Sequence, residues 1–151
     1  MAAGNMFRTR GPSTIQRFLV KAGAAASIKA GEPVIQNTAG DAAYVKSPAA
    51  SVTTSDTFVG IATSDSSETA AVDGYVFVEI PSFGTVFRGK AKTKASLAAA
   101  KRLTKVVIDY TSPNYTIDES TTTNGLCQIV DYNATTGEVD WVLDMTEALN
   151  A

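Results

Sequence analysis

The 151-residue sequence contains no histidine and only one cysteine, and both shortages exclude classes of function. Without histidine the chain cannot form a Ser-His-Asp triad, a Cys-His dyad or a typical zinc site. The single cysteine, Cys127, excludes an intrachain disulfide and fits synthesis in a reducing cytosol. Because Cys127 lies in the apolar stretch LCQIV, we expect it to be a core residue and not a nucleophile.

Long apolar runs are also missing. No run approaches the roughly 20 residues that a membrane-spanning helix needs. The first residues, MAAGNMFRTRGPST, lack the apolar block of a secretory signal. We therefore expect a soluble, unprocessed chain without a membrane partner. The length and the 44% of hydrophobic residues fit one globular domain with its own core.

Alternation of apolar residues at every second position is the strongest pattern present. It is clear in AVDGYVFVEIP (71–81) and in GEVDWVLDM (137–145), and it predicts half-buried strands. Clusters of Gly, Pro, Ser, Thr, Asn and Asp separate further predicted strands at 14–20, 33–36, 42–46, 84–89, 105–110 and 115–118. Only KASLAAAKRL (94–103) has helix-forming composition, so we expect one short helix at most.

Two segments of the chain resemble each other. The apolar pairs of 58–63 recur 68 positions later in 126–131, and the alternating strand at 75–80 recurs 63 positions later at 139–143. This repetition predicts a mainly β fold, a small β-barrel or a β-tulip or sandwich-like domain of two similar halves, over residues 14–151. We expect the two hairpins to share one core, formed by Phe58, Val76, Val78, Cys127 and Trp141.

The N-terminal segment is a candidate binding element. Residues 1–13 carry little apolar periodicity and no acid, and they include Gly4, Gly11 and Pro12. This composition predicts a flexible, extended arm that becomes ordered on a partner. Its apolar pair and its arginines would make the contact: Met6, Phe7, Arg8 and Arg10.

A second candidate is a row of cations at every second position, Arg88, Lys90, Lys92 and Lys94. On an extended strand this spacing places all four on one face. The row could protect an exposed strand edge or could dock onto an acidic protein surface. Nucleic acid is a poor partner, because the net charge is −2 and no aromatic residue is interleaved with the row.

No cofactor or metal site is expected. RGKAKTK (88–94) lacks the spacing of a phosphate-binding loop, and the acid pairs Asp118/Glu119 and Asp140/Asp144 lack an EF-hand pattern. We therefore expect no enzymatic activity, and a hydrolase that relies on carboxylates alone ranks third among the alternatives.

Four phrases in order carry a resemblance to a known family: IKAGEPVIQ (28–36), AAYV (42–45), TFVGIATS (57–64) and DGYVFVEIPSFGTVF (73–87). Together they resemble the capsid cement, or head decoration, proteins of tailed bacteriophages, over residues 27–145. The second half departs from the family's pattern, because Ala99–Arg102 stands where a Gly-containing turn is common and Gln128 replaces the equivalent of Gly60.

This resemblance implies a structural protein of the virion, made in the host cytoplasm and bound to the outer surface of an icosahedral capsid. Its partners would be the major capsid protein and two further copies in a homotrimer, and it would stabilise the capsid by clamping neighbouring subunits. The alternative is a tail or fibre adhesin that recognises a host glycan. An adhesin should expose an aromatic patch, for which Tyr110, Tyr115 and Tyr132 are the candidates.

Overall fold

The computed structural model describes residues 5–23, 28–37 and 41–144, which form eleven β-strands. The predicted mainly β fold is confirmed. The described residues contain no α-helix, and KASLAAAKRL forms two single 3₁₀ turns, Lys94–Ser96 and Ala99–Lys101. No helical segment in the described ranges is long and apolar enough to cross a bilayer. The strands are β1 (Phe7–Arg10), β2 (Thr14–Val20), β3 (Pro33–Gln36), β4 (Tyr44–Lys46), β5 (Phe58–Ala62), β6 (Gly74–Ile80), β7 (Val86–Lys90), β8 (Lys105–Thr111), β9 (Asn114–Asp118), β10 (Cys127–Asn133) and β11 (Glu138–Leu143).

The strands form two halves with the same pairing order. In the first half β2, β6, β5, β3 and β4 pair in turn, and a parallel pairing of β4 with β2 closes a barrel. In the second half β7, β11, β10, β8 and β9 pair in the corresponding order. A parallel bridge between Ala91 and Ile117 joins the end of β7 to β9, as the parallel pair Val20 and Val45 joins β2 to β4. The predicted division into two similar halves therefore holds at the level of topology.

The two hairpins do not share one core, which corrects the expectation from the sequence. Val76 and Val78 point into the first barrel and pack in a cluster with Val20, Val34 and Val45. A separate cluster fills the second half and the contact between the halves, and it contains Phe58, Cys127 and Trp141. The reason is that β6 pairs with β2 while β11 pairs with β7, so each hairpin closes over the interior of its own half.

Trp141 is the largest fully buried side chain of the described residues. Its ring stacks on Phe87 with 5.0 Å between centroids and lies 6.3 Å from Phe58, which belongs to the first half. Aromatic pairs at these separations add to the energy gained from burial alone. Trp141 thus stabilises the second half and its contact with the first.

The N-terminal segment differs from the flexible arm expected from its composition. Residues 7–10 form β1, which pairs antiparallel with β7, and Met6 is buried. The side chain of Met6 lies against Gly89, where an added Cβ would be 3.2 Å from Met6 Cγ, so the absence of a side chain there makes room for it. Met6 N–H also donates to Gly31 O of the first half at 2.8 Å. Residues 1–4 lie outside the described ranges.

Replacing Trp141 with Ala should lower the free energy of unfolding by about 3 to 5 kcal/mol, because a large buried ring leaves a cavity. The measurement is the midpoint of urea-induced unfolding. Phe83→Ala is the control, since the Phe83 side chain is 87% exposed and its loss should barely move the midpoint. Equal shifts for both variants would contradict the assigned role of Trp141.

Candidate functional site

The arginines proposed for a capsid-binding arm have partners inside the chain. Arg8 Nε donates to Glu79 Oε1 at 2.6 Å, and Ser13 Oγ donates to the same oxygen at 2.7 Å. Arg10 Nη1 lies 3.7 Å from Asp140 Oδ2. Because Glu79 belongs to β6 and Asp140 to β11, this segment connects the two halves. Of the predicted arm residues, Met6 is buried and Phe7 is 37% exposed.

The basic row is also engaged within the chain. Arg88 makes two hydrogen bonds to Asp140, at 2.7 and 3.2 Å, and Lys90 Nζ lies 3.9 Å from a Glu138 carboxylate oxygen. Lys94 Nζ donates to Thr135 O at 3.0 Å. β7 pairs with β1 on one side and with β11 on the other, so it is not an edge strand. The interpretation of the row as edge protection is therefore wrong, and its role as a docking row stays a prediction.

Lys92 lies between two nearly buried acids. Its Nζ is 3.0 Å from Asp109 Oδ1 and 3.2 Å from Asp118 Oδ2. Burial alone would raise the pKa of Asp118, but hydrogen bonds from Thr121, from the Ser120 N–H and from Lys92 outweigh it and lower that pKa. Hydrogen bonds to Asp109 and Asp118 raise the pKa of Lys92. Across the described ranges no group of three or more His, Cys, Asp or Glu side chains is arranged to hold a metal ion.

The three tyrosines proposed as an adhesin patch do not form one exposed surface. Tyr110 and Tyr115 stack with 4.7 Å between centroids, and Tyr115 is buried with its hydroxyl donating to Pro48 O. Burial raises the pKa of Tyr115. Tyr132 is half-buried, and the guanidinium carbon of Arg102 lies 5.3 Å from its ring centroid.

The largest group of neighbouring exposed apolar side chains among the paired strands lies elsewhere, on the outside of the first barrel. It consists of β2 and β6 side chains that point away from the barrel interior, and we call it the β2/β6 face: Ile15, Arg17, Leu19, Tyr75 and Phe77. Ile15 is 55% exposed and Leu19 is 50% exposed. Tyr75 and Phe77 are 43% and 41% exposed and meet edge to face at 5.7 Å.

Strand periodicity and pairing together create this face. Because side chains alternate along a strand, the burial of Val76 and Val78 forces Tyr75 and Phe77 outward. The antiparallel register then places Leu19 opposite Tyr75 and Arg17 opposite Phe77. The Arg17 guanidinium carbon lies 5.4 Å from the Tyr75 ring centroid, a distance at which cation and ring attract each other.

The equivalent surface of the second half is charged. There β7 and β11 take the places of β2 and β6, and the cross-strand pairs are Arg88 with Asp140 and Lys90 with Glu138. The arginine pair makes the two hydrogen bonds given above, and these raise the pKa of Arg88. At these two cross-strand pairs the second half thus forms ion pairs, whereas the first half has Arg17 with Phe77 and Leu19 with Tyr75. Exposed apolar patches bordered by polar residues commonly mark interaction sites.

The sequence carries a signal for this face in two of its strands. On an exposed strand the outward positions are expected to be polar, yet aromatic residues occupy two of the three in GYVFVEI (74–80) and aliphatic residues occupy two of the three in TIQRFLV (14–20). These two patterns become one surface only when β2 and β6 are known to pair. The segments are far apart in the sequence, and nothing in their composition specifies that pairing.

Comparison of the chain with models of known protein families, with curated proteins and with solved structures found no match.

Replacing Met6 with Ala should lower the free energy of unfolding by about 2 to 5 kcal/mol, because a buried side chain between the halves is lost. Thermal or urea unfolding followed by Trp141 fluorescence measures the change. The neighbouring Phe7→Ala is the matched control and should cost less, since the Phe7 side chain is partly exposed. A truncated chain starting at Ser13 should be destabilised at least as much as Met6→Ala. Unchanged stability of the truncated chain would restore the free-arm interpretation.

Acid should weaken the fold partly through Asp118. Its folded-state pKa is below the ordinary value of 3.8, so its ionised form stabilises the fold above about pH 4, and this contribution disappears as pH falls through the folded pKa. In Asp118→Asn the free energy of unfolding should therefore fall less steeply between about pH 5 and pH 2 than in the wild type. The control is Asp131→Asn, which alters an exposed ion pair and should change the free energy of unfolding little at neutral pH.

Proposed function

We propose that this chain is a structural, non-enzymatic protein of a tailed-bacteriophage virion that binds the outer surface of the icosahedral capsid and cements neighbouring major capsid subunits. The observation that carries the proposal is the β2/β6 face, on which Ile15, Leu19, Tyr75 and Phe77 are all about half exposed. The partner is identified by the resemblance of four sequence segments, and of their order, to those of decoration proteins.

The composition of the face suits a protein partner. Tyrosine and arginine are enriched among the residues that contribute most to protein interfaces, and such residues cluster where apolar side chains exclude water. Arg17 and Tyr75 lie together in the face, with Ile15 and Leu19 on the same strand as the arginine. The face spans two paired strands of the barrel wall, so one protein surface can cover all of its side chains.

A repeated lattice makes moderate contacts sufficient. A shell presents many equivalent sites, and a trimer that engages several of them gains effective concentration at each further contact. We therefore propose that three copies act together on the capsid, each contributing one β2/β6 face. Light scattering over a range of concentrations, with and without shells, measures whether the trimer forms free or only on the shell. A single copy at every site of a decorated shell would contradict the trimer.

The adhesin alternative also has an observation in its favour, because Tyr75 and Phe77 present exposed rings. The aliphatic side chains of Ile15 and Leu19 favour a protein surface over a glycan, since they offer a sugar no hydrogen bonds. The adhesin would be supported instead if the chain binds a glycan array, if Tyr75→Ser abolishes that binding, and if the chain does not bind shells.

The proposal is tested by cosedimentation with empty shells of the phage that encodes the chain. The wild type should sediment with the shells and raise their thermal stability. The double variant Tyr75→Ser/Phe77→Ser should bind at least about tenfold more weakly, which corresponds to about 1.4 kcal/mol. Phe83→Ser removes an 87% exposed ring outside the face and is the matched control that should bind normally.

Two outcomes would contradict the proposal in different ways. A wild-type chain that stays in the supernatant at all concentrations would overturn the capsid function. A double variant that binds like the wild type, while its unfolding midpoint shows that it is folded, would leave capsid binding intact but assign it to another surface.

A further inference from the structure

Arg17 differs from the other arginines of the described residues because it makes no ion pair with any residue in the part of the chain that the structure describes. Each of the other four lies within 4.0 Å of a carboxylate oxygen, in the pairs Arg8 with Glu79, Arg10 with Asp140, Arg88 with Asp140 and Arg102 with Asp131. Arg17 has the Tyr75 ring as its neighbour, and its side chain is exposed among the apolar side chains of the β2/β6 face. Glu79 follows Phe77 on the same side of β6, but it is buried and accepts hydrogen bonds from Arg8 and Ser13.

In the second half, an arginine at the equivalent position has a carboxylate as its partner. Arg88 of β7 stands where Arg17 stands in β2, and its cross-strand partner is Asp140 of β11. The cross-strand partner of Arg17 is Phe77 of β6, the equivalent of Asp140. Both halves thus have an arginine at this position, but only the second half has a carboxylate as its cross-strand partner.

We propose that Arg17 binds a carboxylate that the partner protein supplies, at the place where Asp140 binds Arg88 in the second half. This inference rests on the proposed function and specifies the chemistry of the partner surface: an apolar patch that contains an Asp or Glu side chain. A guanidinium has a planar set of donors that matches a carboxylate with two parallel hydrogen bonds. Contact with the Tyr75 ring restricts the guanidinium before binding, so less conformational freedom is lost in the complex.

The surroundings of Arg17 select a protein carboxylate over other anions. Nucleic acid and anionic membranes are recognised by several cations acting together, whereas Arg17 is the one cation of the β2/β6 face. The neighbouring apolar side chains would be buried by a protein surface, and exclusion of water strengthens a hydrogen-bonded ion pair at the centre of an interface. Loss of one member of such a pair leaves the other charge buried and unpaired, which makes the contact selective.

The experiment compares three variants on the same empty shells. Arg17→Gln should bind about thirtyfold more weakly than the wild type, the loss expected for a central interface arginine. Arg17→Lys keeps the charge but loses the paired hydrogen bonds, so its affinity should lie between those of the wild type and Arg17→Gln. Arg102→Gln is the matched control, because Arg102 also lies over a tyrosine ring but already has Asp131 as its partner. Its binding should equal that of the wild type.

Chemical modification of the shells tests the partner's side of the contact. Amidation of surface carboxylates should weaken wild-type binding to the level of Arg17→Gln and should not weaken that variant further. Acetylation of surface amines should leave the wild type unaffected. Electron microscopy of the modified shells verifies that they remain intact.

The outcomes separate this inference from the function on which it rests. Wild-type binding to shells together with normal binding of Arg17→Gln would overturn the role of Arg17 and keep the capsid function. A second outcome is that Arg17→Gln binds more weakly than the wild type, and equally weakly on untreated and amine-acetylated shells. If carboxylate amidation then has no effect on wild-type binding, a carboxylate is not the partner of Arg17. Failure of the wild type to bind any shell would overturn the function itself.

Discussion

The hydrogen bonding of the last strand of each half to its first strand is the constraint on which the structure depends. In the first half β6 pairs with β2 along the full seven residues of both strands, and in the second half β11 pairs with β7. These two pairings cover four strand edges that would otherwise be open, one each of β2, β6, β7 and β11. They also fix which side chains point inward, because one residue of slip would turn every side chain of a strand to the opposite face. The separate cores and the contrasting outer surfaces both follow from them.

Charge distribution then distinguishes the two halves. The N-terminal segment brings Arg8 to Glu79 in one half and Arg10 to Asp140 in the other, so the acid-free start of the chain meets acids that lie far along the sequence. Asp140 is nearly buried between two arginines, and its hydrogen bonds hold Arg88 in the surface of the second half. These ion pairs join charges that lie far apart in the sequence. On the β2/β6 face, by contrast, Arg17 lies over the Tyr75 ring and pairs with no carboxylate of the described residues.

Much of the fold could be predicted from the sequence because it depends on local alternation. The strand predicted at 14–20 matches β2, and that at 33–36 matches β3. Pairing partners could not be predicted, since the apolar residues of β6 are compatible with several neighbours. For the same reason Val76 and Val78 were assigned to one core with Trp141. The N-terminal strand was missed because its stability comes from Met6 against Gly89 and from distant acids, and the composition of residues 1–13 contains no trace of these contacts. The candidate face required the register of two strands that are distant in sequence.

Because Cys127 is buried, the reaction of its thiol with a reagent reports when the protein opens around it. The residue is the only cysteine of the chain and is fully buried in β10, and burial raises the pKa of its thiol. A thiol in this state is protonated and inaccessible, so an alkylating reagent reacts only after β10 separates from its neighbours. The only tryptophan, Trp141, lies in the same half. Thiol labelling and intrinsic tryptophan fluorescence therefore both follow the second half and its contact with Phe58 of the first half. Separation of barrel strands away from that contact would change neither signal.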